Sequence, residues 1–167
     1  MTISSTTTLT QINHFINGAE SAGGGERTRP VFNPATGQAS AELRLAGRAD
    51  LEATVAAARA AADSWADTSL AKRTNVLFKF RELVAAHVDE LAELITAEHG
   101  KVLSDAKGEI ARGLEVIEFA CGIPTLLKGD YSDQVSTGID VFSFREPLGV
   151  VAGITPFNFP VMVPLWI

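Results

Sequence analysis

Only one cysteine, Cys121, occurs in the chain, which excludes an internal disulfide and places the protein in a reducing compartment, read here as the cytoplasm. Basic residues are scarce relative to acidic ones, 14 against 20, for a net charge of −6. With aromatics at 7% and no basic patch interleaved with them, neither nucleic acid nor an anionic membrane is expected as a partner. The histidines, His14, His87 and His99, show no metal-ligand spacing, so no metal site is expected. No Lys or Arg precedes Arg27 and no apolar h-region opens the chain, which argues against a secretory or transit peptide. Charge is missing altogether from residues 149–167. A membrane span there is excluded by Pro156, Pro160, Pro164 and Asn158, which would break the helix and leave backbone groups unpaired in lipid.

What is present reads as a soluble α/β protein. Residues 1–12 are rich in Ser and Thr and are expected to be disordered. Residues 11–18, QINHFING, alternate apolar and polar positions up to an Asn-Gly turn, and residues 31–45 hold an Asn-Pro-Ala-Thr-Gly turn between extended segments; both predict hairpins. Gly23, Gly24 and Gly25 lack the spacing of a phosphate loop and receive no such role. A helix is predicted over residues 50–65 with Leu51, Val55 and Ala58 as its apolar stripe. A second spans residues 70–99 with Leu77, Phe80, Val84, Val88, Leu91 and Ile95 spaced by three or four, a break near His87–Asp89 and a stop at Gly100. A third spans residues 104–122, placing Ile110, Leu114, Ile117 and Cys121 on one face, with Pro124 expected to end it. Residues 140–144 predict a short strand. Residues 149–154 predict a fully buried strand that feeds the start of a buried helix, which is how a βα unit begins.

Two residues stand out chemically. Asn158 lies between Pro156 and Pro160, which restrict the backbone around a neutral amide donor. Such a donor can stabilise an oxyanion, and it can equally cap a turn; spacing alone favours the cap. Arg112 offers a bidentate fork for a carboxylate, but Glu109 and Glu115 lie three residues to either side, so a helix salt bridge is the competing reading. Cys121 sits on an apolar stripe with no cation placed by sequence to lower its pKa, and reads as core. The acid pairs Glu90/Glu93 and Glu115/Glu118 read as solvated helix charges, and Lys101 as a cation suited to a helix C-terminus.

The stretch PLGVVAGITPFNFP resembles the P-x-G-V-x-x-x-I-x-P-W-N-x-P motif of the aldehyde dehydrogenase superfamily. FINGAE, VFNPATG and EHGKVLSDAKGEIARGLEVIEFA extend the resemblance over nearly the whole chain after residue 11. Phe157 at the usual Trp position, with ARGLEVIEFACGIP and PFNFPVMVPLW, is most similar to the CoA-acylating methylmalonate-semialdehyde branch. The resemblance implies an N-terminal, incomplete part of that fold: residues 13–148 from the cofactor-binding domain (hairpins, helices and a connecting strand), and residues 149–167 as the first strand and helix start of its parallel sheet. It implies that Asn158 is the oxyanion donor, that Thr155 and Phe157 contact NAD at a strand's carboxyl end, and that Arg112 binds the substrate carboxylate. It further implies an aldehyde substrate, CoA as co-substrate, and a homo-oligomer at full length. The expected reaction turns methylmalonate or malonate semialdehyde into propionyl-CoA or acetyl-CoA with loss of CO2, linking the enzyme to valine and inositol breakdown. Because the catalytic Cys segment of that family is absent, the 167-residue chain alone is expected to be inactive. The alternatives are a non-acylating dehydrogenase of the succinate-semialdehyde or betaine-aldehyde type, and a non-catalytic interaction module that uses an exposed apolar tail, residues 161–167.

Overall fold

The computed structural model describes residues 9–167. Seven short strands and six helices follow one another along these residues. The first predicted hairpin is β2 (His14–Ile16) and β3 (Ala19–Ser21), paired antiparallel. Asn17 and Gly18 turn it with φ of 53° and 77°, the left-handed pair that matches strand twist. The second is β4 (Thr28–Phe32) and β5 (Ala39–Arg44), whose turn is held by Asn33: its side-chain oxygen accepts the N–H groups of Ala35 and Thr36 at 2.8 and 3.3 Å. Pro30 is tolerated because β4 is an edge strand.

β1 (Thr10–Ile12) pairs parallel to β5 and completes a three-stranded sheet. It lies inside the stretch expected to be disordered, of which residues 1–8 fall outside the described residues. The backbone edge of β5 supplies hydrogen bonds that composition could not reveal.

Helix α1 (Arg48–Ala66) starts where the Asp50 carboxylate accepts the Gly47 N–H at 2.7 Å. The other partner of Asp50 is Gly24, whose N–H lies 3.0 Å from both carboxylate oxygens. These backbone donors, from Gly47 and then Gly24, hold the Asp50 pKa below its ordinary value. The glycine triplet thus anchors a helix end. Gly25 is buried there, and a Cβ on it would lie 1.8 Å from the Leu45 carbonyl oxygen. Gly25→Ala is therefore expected to cost about 1–3 kcal/mol through backbone displacement, read as a lower urea midpoint; an unchanged midpoint would contradict this placement.

The α1 stripe does not behave as predicted. Leu51 is 61% exposed and no residue of α1 is buried, since no described element covers that face. Helices α2 (Leu70–Ala86) and α3 (Val88–His99) do break at His87, and Gly100 ends α3 with φ 79°. On α2 the buried side chains are Thr74 and Val84, which leaves Phe80 at the rim, 41% exposed. The core forms where α4 (Leu103–Ala120) lays Ala106, Ile110 and Ile117 against Val84, Ala92 and Ile95. Cys121 is buried just past the end of α4. Pro124 does not end that helix; it stands in the first turn of α5 (Ile123–Leu126), where a missing N–H costs nothing.

An exposed two-stranded ribbon follows, β6 (Tyr131–Ser136) and β7 (Ile139–Phe142). The sequence predicts only β7. The buried strand predicted over residues 149–154 is not formed. That segment is unpaired, with Val151 67% and Ile154 99% exposed, because no strand lies beside it among the described residues to complete a ladder. The apolar run that follows is not loose either. It forms α6 (Met162–Trp166), which docks on α4 with Met162 buried. The close approach is made at Gly113, where a Cβ would come within 2.5 Å of Leu165 Cδ1 and 3.3 Å of Leu165 Cβ.

Candidate functional site

Helix α4 builds the floor of the site. Its core stripe, Ala106, Ile110, Gly113 and Ile117, also contains Glu109, a charged residue at an apolar position. Such a carboxylate persists in a core only when paired and hydrogen-bonded. Its partners come from opposite directions. Lys101, just past Gly100, donates to Glu109 Oε2 at 2.5 Å. The N–H groups of Val161 and Met162 donate to Oε1 at 2.7 and 3.0 Å. Burial by itself would raise the Glu109 pKa, but the Lys101 hydrogen bond and charge together with the two backbone donors outweigh it, and the carboxyl is held below the usual glutamate value.

Lys101 reaches further. Its ammonium also donates to the main-chain oxygen of Asn158 at 3.1 Å and stands 4.5 Å from the centroid of the Phe159 ring. The turn bearing Asn158 is thus fastened to α4 from below. Beside it opens a concavity of about 390 Å³, lined by Lys101, by Ser104, Asp105, Gly108, Glu109 and Arg112 of α4, and by Asn158 and Phe159 of the turn.

Two of the four site residues named from sequence therefore meet, since Asn158 and Arg112 face the same concavity. Among the described residues the Asn158 side-chain amide has no hydrogen-bond partner, and Arg112 has no carboxylate within ion-pair distance. Among the described residues Arg112 makes no salt bridge to either Glu109 or Glu115; Glu109 is turned to Lys101 instead. Thr155 and Phe157 lie outside the concavity on the exposed preceding segment, Phe157 at 88% exposure. Cys121 faces a different hollow, lined with Phe78, Arg81, Glu82 and Glu118. Arg81 is the cation that sequence did not place near this thiol, but it is engaged by Glu118 at 2.6 Å. That bond also shows Glu118 to be an inter-helix partner as well as a solvated charge.

The residues missed were Lys101 and Glu109. Only Glu109 left a trace in the sequence: it falls three residues after Ala106 and four before Gly113, on the stripe that the helix buries.

The sequence model of the aldehyde dehydrogenase family matches residues 21–167. A malonate-semialdehyde dehydrogenase of Pseudomonas aeruginosa is 49% identical over 155 residues, covering 93% of this chain and 31% of its own length. Among solved structures, a methylmalonate-semialdehyde dehydrogenase from Oceanimonas doudoroffii superposes with a TM-score of 0.90 at 51% identity, over 95% of this chain and 32% of that one. A Sinorhizobium meliloti protein described as a methylmalonate-semialdehyde dehydrogenase, complexed with NAD, gives 0.91 at 47% identity over 95% and 32%. The chain spans about a third of the length of these relatives.

Proposed function

Because the chain belongs to the aldehyde dehydrogenase family, we propose that the whole protein oxidises malonate or methylmalonate semialdehyde, with NAD as hydride acceptor and CoA as acyl acceptor. The observation that carries this reading is the convergence of Asn158 and Arg112 on one concavity. A free amide donor there can meet a carbonyl oxygen as it gains charge. A guanidinium with no carboxylate partner among the described residues can meet a substrate carboxylate in bidentate fashion. A small semialdehyde bearing a carboxylate presents both groups.

NAD, when bound, accepts the hydride. Thr155 and Phe157 fit its neighbourhood in kind, since they offer a hydroxyl and an open ring face on a segment where Ile154 is 99% exposed. In this reading Asn158 donates its Nδ2 hydrogen to the developing oxyanion, and Arg112 orients the substrate by its acid end. The nucleophilic thiolate is not Cys121, which is buried and faces the other hollow. The 167-residue chain is accordingly proposed to be inactive by itself. NADH formed by it from aldehyde, NAD and CoA would refute that. The reading includes a homo-oligomer, supported by the exposed apolar side chains of the ribbon, Val135, Ile139, Val141 and Phe142; a monomeric native particle by sedimentation would count against it.

The test is product formation by the native protein. Malonate semialdehyde, NAD and CoA are expected to give NADH and acetyl-CoA, and omission of CoA should suppress turnover. CoA-independent formation of a free acid would shift the assignment to a non-acylating dehydrogenase. Arg112→Gln should raise KM for the carboxylated substrate about 10- to 150-fold, as for loss of a charged hydrogen bond, and leave an uncharged aldehyde of similar size nearly unaffected. Equal effects on both substrates would remove Arg112 from the reading.

A further inference from the structure

Lys101 and Glu109 touch no reacting group in the reading above, yet they occupy the junction on which it depends. Their side chains are 13% and 1% exposed, and taking two ions out of water costs several kcal/mol each. Well-packed apolar residues would often stabilise such a place equally well. Apolar residues cannot, however, fix a carbonyl and two N–H groups in direction. Here one ammonium holds the Asn158 oxygen and the Phe159 ring. One carboxylate holds the Val161 and Met162 N–H groups, and the two ions hold each other. Both ends of the turn that carries Asn158 are thereby fastened to α4.

We propose that Lys101 and Glu109 form an ionic clamp that positions the Asn158 amide, with Lys101 acting through the Asn158 backbone and Glu109 through the start of α6. The proposal rests on the reading of Asn158 as the oxyanion donor. It adds two positioning residues and makes them dependent on each other. Protonation of Glu109 should weaken its hold on Val161 and Met162 and release the Lys101 ammonium, so that Asn158 loses its anchor at the same time. The charged groups around this carboxylate are Lys101, its ion-pair partner, and Asp105 and Arg112 on its own helix, which line the same concavity.

The test is a ¹H–¹⁵N titration of the 167-residue chain. The Val161 and Met162 backbone amides should titrate together, with a midpoint below the ordinary glutamate value of 4.5, and the Asn158 side-chain NH2 pair should move with the same midpoint. An Asn158 pair that stays still while the two backbone amides titrate would overturn the clamp, as would a midpoint at or above 4.5. In Lys101→Met the Val161/Met162 midpoint should rise and the Asn158 NH2 signals should approach those of a free amide, with exchange of the two backbone amides about tenfold faster or more. Lys101→Arg, which keeps the charge and can reach both acceptors, should restore most of the wild-type pattern. Equal effects of Met and Arg would reduce Lys101 to ordinary packing. The wild-type titration decides the matter even where a variant fails to fold. None of these signals involves turnover, so failure of the clamp is separable from failure of the oxyanion reading.

Discussion

With Asn158 in the proposed role of oxyanion donor, its replacement by Ala in the whole protein is expected to lower kcat about 100- to 1,000-fold, the usual cost of removing one such donor, with a much smaller change in KM. The size of the effect follows from how the donor is prepared. Its side-chain amide is not consumed by any partner among the described residues, while its own backbone oxygen is gripped by Lys101 at 3.1 Å. A donor held in place before reaction need not reorganise as charge develops, which is why it acts on the transition state more than on substrate binding. Asn158→Asp should be at least as damaging, since a carboxylate repels the oxyanion. A kcat within about threefold of wild type for Asn158→Ala would leave the amide as a turn cap.

The second large effect is expected at Glu109. Removing one partner of a buried ion pair leaves the other charge uncompensated, at a cost of about 3–5 kcal/mol. Glu109→Ala does this to Lys101 and also strips the acceptor from the Val161 and Met162 N–H groups. Urea unfolding should show the loss, and hydrogen exchange should show α6 released from α4 first, since Val161 and Leu165 are only partly buried against the core. Glu109→Gln retains an oxygen for the two N–H groups but leaves Lys101 equally without a counter-charge, so it should recover only part of that loss. The pH dependence has a definite sign. Folding lowers the Glu109 pKa, so the folded state binds this proton less readily than the unfolded chain. The contribution is complete above the ordinary value of 4.5 and disappears as pH falls through the folded value. Stability of Glu109→Ala should lack that acid-side decline. An unaltered pH profile in the variant would mean that another carboxyl governs it.

Where structure depends on neighbours in sequence, the chain could be read directly. Asn17-Gly18 reverses a hairpin because two adjacent residues can adopt positive φ. Gly100 stops α3 for a related reason, and the break at His87 was visible between two helices. The spacing of Ile110, Ile117 and Cys121 marked the face that α4 buries. Turn residues and 3.6-residue periodicity act over a few positions, so local chemistry is enough to specify them.

Tertiary structure decided everything that needed a partner from afar. The α1 stripe, the unpaired segment 149–154 and the parallel pairing of β1 with β5 all turned on what lies alongside. An amphipathic pattern names a face, and only the fold names what covers it. The site shows the same division. Asn158 and Arg112 were conspicuous by residue type and by their family-like context. The Lys101–Glu109 clamp joins positions 52, 53 and 57 residues apart in its three reaches to the turn. Lysine and glutamate ordinarily belong to solvent. They became a buried pair here only because α6 and the Asn158 turn fold down onto α4 and exclude the water that would otherwise have held them.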